Sequence, residues 1–143
     1  MNALFSQFKT DPRLEREGVS VEYLTGDEEA DKTPPTFMVA RAGGANIAYD
    51  NMLDQRLKPL RRRLQADNVS NKEIEKITKE VFIDTVLKGW KNVKDESGNV
   101  VEFSKVAAAE LFTALPELYE DLRRQSNTIS LFRADAVEAI AKN

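Results

Sequence analysis

The apolar residues of this chain change their spacing at Gly43-Gly44, and that change limits the folds open to it. Before the two glycines, Val19 to Leu24 begins as a period-two alternation rich in strand-favouring Val and Tyr, and Thr36 to Arg41 reads similarly. Between these stretches, Thr25 to Pro35 is polar, acidic and closed by two prolines, which cannot continue a strand through its middle. The pattern predicts an antiparallel hairpin with a long mobile acidic loop over 25–35. After the glycines, Tyr49, Leu53, Leu57, Leu60 and Leu64 recur at steps of three and four, the spacing of one helical face. A helix near 44–66 follows, with a kink or break expected near Arg56 to Lys58, because Pro59 lacks a backbone donor and crowds the preceding turn.

Helical spacing continues to the end of the chain. Ser70 and Glu73 have capping-box spacing and open a helix near 71–88, whose buried face should hold Ile74, Ile77, Val81 and Thr85, broadened by Phe82, Val86 and Trp90. Gly89 marks its expected end. Asp95 to Asn99 forms a turn cluster between Val93 and Val100-Val101, which fits a small hairpin or ordered turn. Ser104 caps a helix over 104–115, and Pro116 suits the first turn of another over 116–141, with Leu118, Leu122, Gln125, Ile129, Phe132 and Ala136 on its face. The fold class expected is mainly α within an α+β arrangement. One domain spans 1–143, with four to five helices and a small N-terminal antiparallel β-hairpin.

Composition excludes several function classes. The 143 residues contain no Cys and no His. Disulfides, thiolate nucleophiles, zinc-thiolate sites and Ser-His machinery are therefore unavailable. There is no Walker loop, and Ala42-Gly43-Gly44-Ala45 lacks the third glycine of a dinucleotide fingerprint. Asp27, Glu28, Glu29 and Asp31 lack the spacing, glycine and closing Glu of a calcium loop. The expectation is a protein that is not an enzyme and uses no cofactor and no metal. No apolar run reaches the roughly 18 residues of a membrane span, and Met1 to Gly18 has no signal-peptide pattern. A cytosolic location without membrane contact is expected.

Charge points to partners rather than chemistry. Net charge is only −3, yet residues 36–66 carry six basic and two acidic side chains. Arg61-Arg62-Arg63, with Arg56 and Lys58 nearby, could contact phosphates. However, consecutive arginines step round a helix by about 100° each, so they do not share one groove. With no interleaved aromatics, a solvated or protein-contacting basic face is the better reading, and nucleic acid is not the expected partner. Trp90 and Tyr119 are large amphipathic side chains of the kind that anchor interfaces, but Trp90, one step of the helix pattern after Val86, reads first as a core residue at a helix end.

Several stretches in order resemble the tail assembly chaperones of long-tailed, non-contractile bacteriophages and their prophages. They are Phe8-Lys9-Thr10-Asp11, Leu14 to Val19, Val39 to Asn46, Lys58 to Arg63, Val86 to Trp90, Asp95 to Asn99 with Phe103-Ser104, Leu115 to Leu118, Phe132-Arg133 and Ala141-Lys142-Asn143. The acidic loop departs from the pattern. The resemblance implies a non-enzymatic protein that binds the tape measure protein, keeps it soluble, helps recruit tail tube subunits, and is absent from the finished virion. In many such proteins a programmed frameshift yields a longer minor product. The expected partners are the tape measure protein and the tail tube protein, with self-association left open. Contact is expected at Arg56, Arg61, Arg62 and Arg63 on the basic helix and at Arg123, Arg124 and Phe132 near the C-terminus. The alternative is a small nucleic-acid-binding phage regulator using Arg61 to Arg63.

Overall fold

The protein is described by a computed structural model over residues 2–65 and 70–134, which begins with two short helices that the apolar spacing did not announce. In α1 (Ala3–Phe8) the Asn2 side chain accepts from the amides of Leu4 and Phe5. In α2 (Pro12–Glu17) the Asp11 carboxylate accepts from the Arg13 amide at 2.8 Å, and Pro12 sits where a missing N–H leaves nothing unpaired. Gly18, at φ +104°, then turns the chain into the sheet, and a Cβ there would lie 3.1 Å from the Val39 backbone.

The sheet is antiparallel and has three strands in the order β1-β2-β3. β1 (Val19–Glu22) pairs with β2 (Thr36–Val39), placing Val21 opposite Phe37. The two strands expected from the sequence are therefore present, but they do not form an isolated N-terminal hairpin. β3 (Leu87–Lys91) lies on the other edge of β2, with Trp90 opposite Phe37 and Gly89 opposite Met38. This corrects the helix expected over 71–88: α5 (Asn71–Thr85) stops earlier, and Gly89 is a strand residue rather than a helix end. The physical reason is that β2 has a second edge of donors and acceptors to satisfy. The Ala40 amide donates to the Val86 carbonyl at 2.8 Å, where the chain leaves α5 and joins the sheet.

The helices follow their caps. α3 (Ile47–Leu57) runs through a 3₁₀ turn at Lys58–Leu60 into α4 (Arg61–Gln65). Pro59 cannot donate to an α ladder, and the turn tightens so that the Arg61 amide bonds to the Lys58 carbonyl. Tyr49, Leu53, Leu57 and Leu60 are only half-buried, facing α5 as a shallow stripe. At the start of α5 the Ser70 hydroxyl accepts from the Glu73 amide, and the Ser104 hydroxyl does the same for Ala107 in α6 (Lys105–Ala114). α7 (Pro116–Gln125) is shorter than the helix expected over 116–141. Ser126, Asn127 and Thr128 donate side-chain hydrogen bonds to the carbonyls of Arg123 and Arg124, closing the helix before a 3₁₀ turn at Ile129–Phe132. Ala136 and the Ala141-Lys142-Asn143 ending lie outside the described residues.

One core joins sheet and helices: Phe37, Val39, Phe82, Val86, Phe112 and Leu122 are buried together. Its rings meet edge to face, Phe82 with Tyr119 at 5.4 Å and Phe37 with Trp90 at 5.8 Å. Each fully buried side chain of this size stabilises the fold by about 1.5–3 kcal/mol. The acidic loop stays outside this core. It folds over Asp31, whose carboxylate accepts from the Thr25 amide, the Thr25 hydroxyl and the Gly26 amide. Those bonds, the Thr25 amide foremost, hold the Asp31 carboxyl below the usual carboxylate range. The ordered turn expected at Asp95 to Asn99 is present, with the Asp95 and Asn99 backbones bonded at 2.9 Å. No helix among the described residues is long and apolar enough to cross a membrane.

Candidate functional site

The arginines of the basic helix are held by acids from neighbouring elements. Arg56 on α3 pairs with Glu80 on α5, Arg61 with Asp54 one α3 turn below the 3₁₀ segment, and Arg63 with Glu73 at 3.4 Å. The basic stretch is thus partly neutralised on the folded surface by carboxylates 7 to 24 positions away in sequence. These pairs are 39–62% exposed, so each adds about 0–1 kcal/mol to stability. Arg62 is exposed.

The C-terminal candidates separate. Arg124 pairs with Asp121 at 3.1 Å, and Asp121 also accepts from the Tyr23 hydroxyl at 2.6 Å, tying α7 to the end of β1. Burial, with Asp121 second, pushes the Tyr23 phenol well above its ordinary value. Phe132 is fully enclosed, with 0% of its surface accessible. Its place as a contact residue is corrected on that ground: helical spacing cannot tell an inward ring from an outward one, and the 3₁₀ turn aims this one inward.

Arg123 has a different setting. It lines a groove of about 470 Å³ between α5, α6 and α7, together with Lys72, Lys76, Lys79 and Glu80. Since Glu80 is the partner of Arg56, the structure brings two of the candidate arginines to the margin of the same groove. Its floor is Tyr119, over whose ring the Lys79 ammonium sits at 5.3 Å. Burial pushes the Tyr119 phenol up to about 12. The groove offers an apolar ring and a set of cations interspersed with Glu75 and Glu120. Such a surface can hold a peptide segment. Among the described residues no acidic cluster could hold a metal ion.

The most tightly built polar site was missed in the sequence. The Glu15 carboxylate, 4% exposed, receives the Arg41 guanidinium and the Thr10 hydroxyl. The Arg41 amide donates to the Glu15 carbonyl at 2.9 Å, and the Asn46 side-chain amide donates to the carbonyls of Arg41 and Thr85. Gly44 is at φ +53°, and a Cβ on it would stand 1.9 Å from Glu15 Oε2. Two stretches that carry the family resemblance, Leu14 to Val19 and Val39 to Asn46, therefore meet in one knot. Its components serve the fold: the Ala42 amide also reaches the Ser126 carbonyl at 3.1 Å, linking the knot to the end of α7. The signal available in sequence was the pair of glycines beside Arg41 and Asn46, residues with little reason to cluster in a simple linker.

With this geometry in place, comparison with known proteins shows that the family profile described as YdaY prophage protein matches residues 43–143. No curated protein and no solved structure matches the chain.

Proposed function

The chain belongs to the YdaY prophage protein family, and on that premise we propose that it is a phage tail assembly chaperone. In this reading it binds the tape measure protein, keeps that long helical chain soluble and helps recruit tail tube subunits during tail morphogenesis. It works in the host bacterial cytoplasm and is left out of the mature virion. The observation that carries the reading is the prophage family match, taken with the resemblance to tail assembly chaperones along nearly the whole chain. Supporting it, the helices leave open grooves with mixed charge and apolar floors, surfaces suited to holding helical segments of a client. The contact face proposed is the basic helix at Arg56, Arg61, Arg62 and Arg63, continued through the Glu80 margin to Arg123, with Arg124 beside it.

Co-expression with the tape measure protein of the same prophage tests the proposal. A soluble complex is expected where the tape measure protein alone aggregates through its apolar stripes. Failure of the two proteins to associate overturns the chaperone reading. Replacing Arg61, Arg62 and Arg63 with Glu should slow association, more at low than at high salt. Undiminished co-purification removes the basic helix from the contact face. Binding of duplex DNA that weakens steeply with salt would instead favour the regulator.

A further inference from the structure

A second groove, larger at about 600 Å³, lies between α6 and the ordered turn that follows β3. Its wall is apolar: Trp90 and Val93 on the sheet side, Val101 beyond the turn, Leu111 and Leu115 on or at the end of α6. Leu115 is 50% exposed, so the apolar wall is open to solvent. The groove is firmly built. The Trp90 indole N–H donates to the Val101 carbonyl at 2.8 Å, the Val101 amide donates to the Val93 carbonyl, and Trp90 meets Phe103 edge to face at 5.0 Å.

Acids outnumber bases three to one on the rim. Asp95, Glu96 and Glu110 stand around this wall, with Lys94 as the counterweight. Unlike the arginines of the basic helix, none of these three acids is in an ion pair among the described residues. An apolar floor ringed by unneutralised carboxylates is complementary to a segment whose apolar stripe is flanked by cations. The α6 side runs from Ala107 to Leu115, about 12 Å at 1.5 Å per residue, which matches roughly two turns of a docked helix. On the sheet side the backbone beyond β3 is already paired, the Val101 amide with the Val93 carbonyl and Lys94 with Val100, which suits a docked helix better than an added strand.

We propose that this groove is a docking site for a cationic amphipathic helix of a partner protein. Apolar residues at helical spacing enter against Trp90, Leu111 and Leu115, and flanking Lys or Arg side chains meet Asp95, Glu96 and Glu110. The inference stands on the groove alone and does not depend on the tape measure reading.

The chain supplies its own reporter, since Trp90 is its only tryptophan. The full chain is titrated with two synthetic amphipathic peptides of equal length, one of Leu and Lys and one of Leu and Glu, and followed by Trp90 emission and by calorimetry. The Leu/Lys peptide should bind saturably, shift the emission to shorter wavelength and weaken as salt rises from about 50 to about 500 mM. The Leu/Glu peptide should not bind. The exposed double variant Glu96→Gln with Glu110→Gln should lose about tenfold in affinity, equivalent to about 1.4 kcal/mol. Ala114→Arg, which places a bulky cation in the groove from an exposed position, should abolish binding while circular dichroism stays that of the parent. Calorimetric binding with unchanged Trp90 emission, equal affinity for the Leu/Glu peptide, or unchanged affinity in both variants each overturns the proposal. So does finding the groove already closed by a second copy, seen as a dimer that Ala114→Arg converts to monomer.

Discussion

Two regions of this molecule use the same chemistry, an arginine against a carboxylate, to opposite effect. In the knot, Glu15 and Arg41 are 4% and 22% exposed, share their bonds with Thr10 and Asn46, and lie in the space a Cβ on Gly44 would fill. On the basic helix, Arg61 and Asp54 are 58% and 62% exposed and bond in water. Burial decides what each pair means. Removing one member from the enclosed pair strands a charge with little solvent, whereas the exposed pair loses an attraction that water already screens. A basic surface built of the second kind can release its acids to a partner cheaply, and the first kind cannot.

The sharpest way to break this comparison is at the knot. Glu15→Ala should cost about 3 kcal/mol in chemical denaturation, because Arg41 and Thr10 lose their partner. Gly44→Ala should cost a similar amount, since its Cβ would displace the Glu15 carboxylate. Combined with Glu15→Ala, the same change should add only about 1–2 kcal/mol, the residual strain of a left-handed alanine. Full additivity would show that the carboxylate does not rest against Gly44.

High pH gives the next effect. Tyr119, raised from 10.0 to about 12, keeps its proton in the folded state after the unfolded chain has lost it. Its contribution is therefore fully present below pH 10 and is lost as pH rises from there through about 12. Absorbance titration of the three tyrosines should show Tyr119 and Tyr23 ionising late, with stability falling over the same interval. Early ionisation of Tyr119 would mean that the groove beneath Arg123 is open to water down to its floor.

Smaller effects belong to the basic helix and to the acidic loop. Arg61→Ala and Arg63→Ala should each change stability by about 0–1 kcal/mol, which lets charge reversals there be read as binding effects alone. Pro59→Ala should be neutral or stabilising by up to about 1 kcal/mol, because an α turn can replace the 3₁₀ turn without unpairing a donor. The smallest change is expected from shortening 26–33 to a tight turn, within about 0.6 kcal/mol. Positions 34 and 35 stay outside the deletion, since their backbone carbonyls accept from Thr36, Asn92 and Tyr23.

Local chemistry was legible in the sequence wherever the answer was local. The strands at Val19 and Thr36, the caps at Ser70 and Ser104, and the tightened turn at Pro59 all depend on residues within a few positions. β3 was not legible, because Val86 and Trp90 are four apart, a spacing that helices produce and strands also tolerate. Only the free edge of β2, some fifty positions earlier, decides between them. The candidate surface failed in the same way. Arg56 and Arg63 looked like bare charge because Glu80 and Glu73 lie on another helix. The groove at Trp90 needed α6 and the turn after β3 to meet before it existed.

The late arrival of β3 also sets a timetable for the chain as it is made. β2 ends at Val39 and β3 begins at Leu87, so roughly 48 residues must follow before the middle strand gains its second neighbour. At about 5–20 residues per second, the ribosome needs roughly 2–10 s to deliver them. A β1-β2 pair formed in that interval carries an unpaired edge along Thr36 to Val39, a sticky margin on a nascent protein. Codon changes that slow translation between 40 and 87 should lengthen this window and lower the soluble yield, without altering a single residue.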